Sequence, residues 1–382
     1  MVTFSPEAQK SNGGQGHNEA PPAPVGVVPF VRASDEHIEG ASVDVARLLT
    51  ASQQDLGVFD VPAYGYIRWL YILVSPSVAG AGGSAAAAED SPWNVLQNIA
   101  LTEPNGAYIA QFNSGYELFL ANKYGGYVGP GSADPRRSPV FSAVNATTGN
   151  FTFVLRIPVE LSGRDAVGAL PNQDSAGQFK LRLALAGSGT VYSTPPATTL
   201  PTVRVQAWLA AWDQPEPTSA GMGNQTNPPA VGTTSFWSVQ SGITVNAGEN
   251  TIELKRKGNY IRQMIFILRT STRVLGEADW PTTLRFMRDA FPARYYDFNI
   301  WKQQMYERTG YTGTADTAGA PENGVRFHDY AHEFDGSLGR ENRDLWQPTR
   351  GSTRLELAGS FGDAGTLTVL TNDVAIADNV FL

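Results

Sequence analysis

Apolar and polar residues alternate with a period of two along several segments of the chain. In the first half this alternation covers residues 151–159, 179–185 and 203–209. In the second half it recurs as pairs of apolar residues two positions apart, namely Ile252 and Leu254, Leu355 and Leu357, Leu367 and Val369, and Val374 and Ile376. Because successive side chains of a strand point to opposite faces, the pattern predicts strands with one face in a core and the other in water. Antiparallel sheets have this character.

A nine-residue segment occurs twice. Tyr66–Val74 aligns without a gap with Tyr260–Leu268; three positions are identical, and five more pair one apolar residue with another. Trp69 against Gln263 is the one mismatch in kind. Self-similarity of this sort indicates a duplicated unit, and the near-continuous apolar run suits a strand buried on both faces. We therefore expect two similar domains with this strand at equivalent places.

One short helix is predicted downstream of each copy of the repeat. Ser114 and Glu117 have the spacing of a capping box, and Gly125 can end the first helix. The second helix is expected to be capped by Asn299 and closed by Gly310, with three apolar residues on one side: Phe298, Trp301 and Met305. The order of elements is thus duplicated as well.

The composition divides the chain into four parts. Residues 1–38 are rich in Gly and Pro with little periodicity, which predicts a flexible N-terminal arm that a partner would order. Residues 216–235 are dense in turn-forming residues and are expected to be a linker. The first domain then covers 39–215 and the second 236–382.

Composition and charge narrow the class of protein. The chain has 39 Gly, 25 Pro and only 17% charged residues, which favours an all-β protein of many short strands. A net charge of −8 with scattered basic residues argues against direct binding of nucleic acid. The absence of cysteine excludes disulfides, thiolate metal sites and cysteine nucleophiles, so stability is expected from packing and association. With no signal-like N-terminus and no window of about 18–20 apolar residues, we expect a soluble protein made without export.

Candidate chemical sites are few. His328 and His332 have the spacing of metal ligands on a helix, but nothing around them predicts a helix, so a loop without a metal is expected. His17 falls in the arm and His37 stands alone. The acidic residues of Gly- and Ser-rich loops are expected to be solvated and not to form a catalytic pair: Glu89, Asp90, Glu333, Asp335 and Asp363.

Two other features have a structural interpretation. Gly125–Gly131 is glycine-dense, but it lacks the Lys-Ser/Thr ending of a phosphate loop and is expected to be a turn. Trp208 and Trp212 could stack on sugars, yet in a protein of two sandwiches we expect them in cores and subunit contacts. No catalytic, cofactor-binding or metal-ligating residue is therefore predicted.

Part of the sequence resembles the major capsid proteins of tectivirus-like phages, which are tailless icosahedral phages with an internal membrane. The resemblance rests on Ile157–Leu161, then Gly168–Asp174 with its Leu-Pro-Asn-Gln, then the return strand Phe179–Leu185. Leu345–Pro348, before the strand at Leu355, looks like a degenerate second copy.

The resemblance implies an all-β fold of two tandem eight-stranded antiparallel jelly rolls, each with one short helix. It further implies a major capsid protein without enzymatic activity or cofactor, which forms a pseudo-hexagonal homotrimer and tiles an icosahedral virion shell. Implied partners are other copies of the chain, penton and minor capsid proteins, and an internal viral membrane or its proteins. The implied location is the capsid, after synthesis in the host cytoplasm. The loops at 76–92 and 310–335 are expected to project at one end and contribute to contacts between chains.

Two alternatives remain open at this point. Some glycoside hydrolases also carry two jelly rolls, although export signals and a cleft with paired acids are usual in that class. A carbohydrate-binding β-sandwich protein is the other alternative. Shells or flat trimers in electron microscopy would favour the capsid protein, whereas hydrolysis of glycans would favour the enzyme.

Overall fold

A computed structural model of the chain describes residues 30–125, 134–215, 232–270, 273, 278–309, 321–330 and 343–376. The elements of the first half are α1 (Phe30–Ala33), β1 (Glu36–Leu48), β2 (Gln54–Asp60), β3 (Tyr66–Val78), β4 (Ala86–Ala87), β5 (Leu96–Thr102), β6 (Tyr108–Ser114), α2 (Gly115–Tyr124), β7 (Phe153–Pro158), β8 (Leu170–Pro171), β9 (Lys180–Leu185), α3 (Ser188–Val191), β10 (Tyr192–Thr194) and β11 (Thr202–Trp212). Those of the second half are β12 (Thr234–Val245), β13 (Gly248–Glu253), β14 (Tyr260–Arg269), β15 (Thr283–Arg288), β16 (Phe291–Asp297), α4 (Phe298–Thr309), β17 (Val325–Asp329), β18 (Gln347–Pro348), β19 (Leu355–Phe361) and β20 (Gly365–Ala375).

Eight strands of each half form two antiparallel sheets with the same strand order. In the first half the sheets are β1-β11-β3-β7 and β2-β9-β5-β6, and in the second half they are β12-β20-β14-β17 and β13-β19-β15-β16. We call the first-named sheet of each half its front sheet and the other its back sheet. This is the strand order of a jelly roll, so the chain is a double jelly roll, as predicted.

The two copies of the sequence repeat occupy equivalent strands. β3 and β14 are each the third strand of a roll, and each lies between the last strand and the sixth strand in its front sheet. Each also pairs at its start with a two-residue strand: Tyr66 pairs with Pro171, and Tyr260 pairs with Pro348. The strand equivalence predicted from the repeat is therefore confirmed.

A helix follows the fifth strand of each roll, which also confirms the prediction. In α2 the side chain of Ser114 accepts a hydrogen bond from the Glu117 amide, and the Glu117 carboxylate accepts one from the Ser114 amide, which completes the capping box. In α4 the predicted cap is wrong: Asp297, not Asn299, accepts from the amides of Asn299 and Ile300. The predicted apolar side of α4 is buried: Phe298, Trp301 and Met305. Gly310 lies outside the described residues.

The predicted boundaries differ at two points. Residues 30–38 were expected in the arm, yet they form α1 and the start of β1, with Phe30 packed edge-on against Tyr66 at 5.1 Å. Residues 234–235 were expected in the linker, yet they begin β12. At residues 36–38 and 234–235 strand pairing extends further than the apolar alternation indicates. Residues 1–29 and 216–231 lie outside the described residues.

The core runs through both rolls without interruption. A single cluster of buried apolar side chains includes Leu70 and Phe112 of the first roll and Trp237 and Phe266 of the second. Within the described ranges, no helix is long and apolar enough to cross a membrane.

Candidate assembly surface

The identical arginine of the repeat marks a β-bulge in each roll. In the first roll Ile67 pairs with Ala211 and Trp69 with Ala210, so Arg68 is the extra residue between them. In the second roll Ile261 pairs with Asp373 and Gln263 with Asn372, so Arg262 is the extra residue there. A bulge re-aims the side chain that it carries. Because each bulge adds one residue to its strand, Arg68 and Arg262 do not follow the regular alternation of side chains between the two faces of the sheet.

Arg68 is held inside its own roll. Its Nε lies 2.6 Å from Glu160 Oε2, and NH1 lies 2.8 Å from Glu36 Oε1. The guanidinium also lies over the rings of Trp69 and Trp212, at 4.1 and 4.0 Å from their centroids. Burial raises the pKa of Glu160, although the charge of Arg68 opposes that rise. The predicted packing role of Trp212 is thus seen in the first roll.

Arg262 contacts the other roll. Its NH2 donates to the carbonyl oxygen of Gly125 at 3.0 Å, and the neighbouring Gln263 donates from Nε2 to the carbonyl oxygen of Tyr124 at 2.6 Å. These carbonyls lie at the C-terminal end of α2, where the last helical carbonyls lack partners within the helix and positive charge is favourable. The bulge arginine of the second roll therefore helps to hold the helix of the first.

Apolar and backbone contacts complete the contact between the rolls, which we call the internal junction. The rings of Tyr124 and Phe327 stack at 4.4 Å, and those of Phe112 and Trp237 lie 5.9 Å apart. Trp237 of β12 also pairs in parallel with Ala110 of β6, which joins the front sheet of the second roll to the back sheet of the first. The internal junction thus joins β6 to the edge strand β12 and seats α2 against the second roll's front sheet.

Ion pairs surround α2 at the internal junction. Glu322 contacts both Lys123 and Arg136, and Asp134 contacts the same two cations. Burial acts to raise the pKa of Asp134, but hydrogen bonds from Arg136 and the charge of Lys123 outweigh it and lower that pKa to about 2. Partly buried networks of this kind fix the relative placement of the elements that they join.

The carboxyl group of Glu117 lies at the start of α2. Its Oε2 accepts from the amide of Asn113 at 2.6 Å, within the capping box of Ser114. Burial raises the pKa of Glu117 to about 7, although these hydrogen bonds act in the opposite direction. The helix that fills the internal junction therefore begins at a group that can change charge near neutral pH.

The corresponding helix and strand of the second roll are exposed. Every residue of α2 except Lys123 is buried, whereas only three residues of α4 are buried. The open surface of β16 and α4 carries four large apolar side chains, which are 53–76% exposed: Phe291, Tyr295, Ile300 and Tyr306. Large exposed apolar residues gathered on one surface are typical of a site of association.

His328 lies elsewhere than predicted. It is on β17 and not in a loop, because Val325 and Phe327 form a strand that is covered on both faces. Its ring lies between those of Tyr296 and Tyr330. Burial lowers the pKa of His328 well below the usual value, and the charges of Arg308 and Arg294 act in the same direction.

His332, the other histidine of the predicted pair, lies outside the described residues. Among the described residues no group of three or more His, Cys, Asp or Glu could hold a metal.

Two of the acidic candidates, Glu89 and Asp90, contact the same residue, Arg273. Asp90 was predicted to be solvated, but its Oδ1 lies 2.8 Å from NH2 of Arg273, in a contact between the two rolls. Asp363 is exposed and accepts from the amide of Ala364. Glu333, Asp335 and residues 126–131 of the glycine-dense segment lie outside the described residues. Trp208 lies half-buried on the outer face of the first roll's front sheet.

The sequence interpretation missed the residues of the internal junction. Arg68 and Arg262 were visible as an identity in the repeat, which is the signal that could have drawn attention to a shared bulge. Tyr124 and Glu322 gave no such signal, since a buried helix face and a loop carboxylate contact each other only after the rolls are placed side by side.

Comparison with solved structures identifies several chains of the same fold. The major capsid protein of Sulfolobus turreted icosahedral virus is similar with a TM-score of 0.59 and 14% identity, covering 90% of this chain and 97% of that one. The PBCV-1 virus capsid chain gives a TM-score of 0.60 at 11% identity, with 89% and 94% covered. The major capsid protein P2 of bacteriophage PM2 gives 0.53 at 8% identity, with 91% and 99% covered. No family profile and no curated protein sequence matches the chain.

These matches extend over nearly the whole of each chain. They support the double jelly-roll fold for both halves together. The resemblance noted in the sequence and the fold of the structure therefore agree.

Proposed function

We propose that this protein is the major capsid protein of an icosahedral virus and that it has no catalytic role. The observation that carries the proposal is the double jelly roll itself, which is shared over about nine-tenths of the chain with three viral capsid proteins. The duplication supplies a physical reason for such a role, because two similar rolls per chain present similar edges that can be used repeatedly in a lattice.

The proposed unit of assembly is a homotrimer. Three copies of a chain with two rolls give six similar rolls, which is the number that fills a pseudo-hexagonal outline. A dimer gives four rolls and leaves gaps in a hexagonal net. The open surface of β16 and α4 supports self-association, since it exposes Phe291 and Tyr295 on the outermost strand of its sheet. An uncovered edge strand readily pairs with another chain.

Finer parts of the proposal concern partners and location. We propose contacts with penton and minor capsid proteins and with an internal viral membrane or its proteins, in a virion assembled in the host cytoplasm. The likeness to the protein of bacteriophage PM2 supports a phage of the tectivirus-like kind. Residues 1–29 are proposed to become ordered against a neighbour, since their Gly/Pro-rich composition cannot bury much apolar surface alone.

Native mass measurement combined with electron microscopy tests the proposal. We expect a species of about 123 kDa, corresponding to three chains of 41.1 kDa, and flat trimers or shells in the images. A monomer of 41.1 kDa that does not change with concentration would contradict it. Hydrolysis of glycans by the purified protein would instead support the glycoside hydrolase, and glycan binding without assembly would support the carbohydrate-binding protein.

A further inference from the structure

The internal junction provides a template for a contact between chains. It sets β6 of the first roll beside β12, the edge strand of the second roll's front sheet, and places the end of α2 against β14 of that sheet. The second roll has the matching pair, β16 and α4, and the first roll has the matching front sheet. Among the described residues, side chains of both matching surfaces are exposed or half-buried.

The hydrogen-bond registers allow the two front sheets to be compared position by position. In the first roll Ala210 lies between Ile38 and Trp69. In the second roll Asn372 lies between Trp237 and Gln263. Because Trp69 and Gln263 are equivalent in the repeat, Ile38 is the equivalent of Trp237. Ile38 is 53% exposed, whereas Trp237 is 1% exposed beneath Phe112.

The same difference extends across the sheet. Tyr71 pairs with both Trp208 and Arg156, and at the equivalent place Ile265 pairs with both Leu370 and Phe327. The first-roll members are half-buried, whereas the second-roll members are fully buried. Each buried position of the second roll thus has an accessible counterpart in the first: Trp69, Tyr71, Arg156 and Trp208.

The one mismatch of the repeat replaces a hydrogen-bonding side chain of the internal junction with an aromatic one. Gln263 donates from its side chain to the carbonyl oxygen of Tyr124 at the end of α2. Trp69 is half-buried and its indole N–H is itself buried, so what it can offer to a neighbouring chain is the exposed part of its ring.

We propose that the outer face of the first roll's front sheet, around Ile38, Trp69 and Tyr71, receives β16 and α4 of a second copy. This inference rests on the proposed function in so far as the chain self-associates, and it names the two surfaces that meet. The contact joins two different surfaces head to tail, so every copy donates one helix and accepts another. Three such contacts and three internal junctions alternate around a ring of six rolls, and the ring closes without a free surface.

The absence of cysteine from the chain makes a site-specific test possible. Ile38→Cys is labelled with a benzophenone maleimide, and the protein is assembled from a mixture of normal and heavy-isotope copies. After irradiation, mass spectrometry should find crosslinks from position 38 to residues 291–309 of a different copy. Val58→Cys is the matched control, because Val58 is 58% exposed on the back sheet and lies outside the proposed contact. It should give no crosslink to 291–309.

Each other result overturns the inference. Crosslinks from position 38 to residues 1–29 or another part of the same copy would mean that the chain covers its own sheet. Crosslinks to a different segment of a second copy would mean that another surface docks there. If trimers form and 291–309 is not captured, the inference fails while the proposed function stands. If the protein is monomeric, the proposed function fails as well.

A second variant measures the strength of the contact. Ile300 is 60% exposed on α4, so Ile300→Glu leaves the single chain folded but places a charge in the proposed contact. Trimer formation should weaken by roughly tenfold or more, as expected for a buried interface residue. Val58→Glu should leave the trimer unchanged. Equal effects of the two variants would contradict the proposed surfaces.

Discussion

The two jelly rolls have the same strand order and the same bulge arginine, but they use that arginine differently. Arg68 is bound to Glu160 and Glu36 of its own roll, whereas Arg262 donates to the backbone of Gly125 in the other roll. The bulge supplies a buried cation in both cases. The comparison shows that a duplicated fold can keep one local geometry and change its partner, so that one copy stabilises itself and the other holds the pair together.

The largest expected effect concerns the equivalent positions Trp237 and Ile38. Trp237→Ala removes a fully buried indole at the internal junction and should lower the free energy of unfolding by about 4 kcal/mol. Ile38→Ala should change it by about 0.5 kcal/mol or less in the single chain, because Ile38 is half exposed there. Denaturant unfolding of both variants under conditions that keep the chain monomeric measures the difference. Similar losses would show that the two front sheets are covered alike.

The next effect concerns the ion pair of the first roll. Glu160→Ala leaves Arg68 buried beside only the half-exposed Glu36, and we expect a loss of about 3 kcal/mol in the free energy of unfolding. Asp44→Ala is the control, since the Asp44–Arg204 pair on the same sheet is exposed to solvent and should contribute little to stability. A loss for Glu160→Ala no greater than that of the control would mean that Arg68 is held by its aromatic neighbours alone.

The fold followed from the sequence to a greater extent than the junction did. The alternation of apolar residues and the nine-residue repeat were enough to predict two equivalent sandwiches and the place of β3 and β14. The near-continuous apolar run of the repeat predicted burial on both faces for each copy; β14 is buried in this way, whereas alternate residues of β3 remain half-exposed. Burial of the outer face depends on where α2 lies, and that is a property of the assembled tertiary structure.

Short elements were the least predictable. In β17 the apolar residues Val325 and Phe327 alternate with the polar residues Arg326 and His328, and the polar histidines of this region suggested a loop. In the structure all four side chains are buried, because the strand lies between α2 on one side and the second roll's own core on the other. A strand covered on both faces by different domains has no polar face for the period-two pattern to reveal.

Glu117 offers a pH-dependent test of α2, which has no counterpart in α4. Its pKa rises from 4.5 to about 7 on folding, so the folded protein keeps a proton that the unfolded chain loses. Stability from this group is complete below about pH 4.5, falls as the pH rises to about 7 and is constant above that. Glu117→Gln keeps the hydrogen-bonding shape at the helix start and should flatten this fall, with a gain of roughly 1–2 kcal/mol at pH 8. Parallel pH profiles of the two proteins would contradict the shift.

The smallest expected effect distinguishes the observed cap of α4 from the one that the sequence suggested. Asp297 accepts from the amides of Asn299 and Ile300, so Asp297→Ala should cost about 1 kcal/mol and speed hydrogen exchange of those amides. Asn299→Ala should cost less than about 0.5 kcal/mol, because Asn299 is exposed within the first turn and is not the N-cap.

Since α4 carries Ile300 and Tyr306 of the open surface, fraying of its first turn in Asp297→Ala should also weaken the trimer slightly, whereas Asn299→Ala should not. If the two variants exchange alike, α4 begins later than Phe298, and the end of the helix that is proposed to dock on a neighbour is less ordered than its counterpart α2.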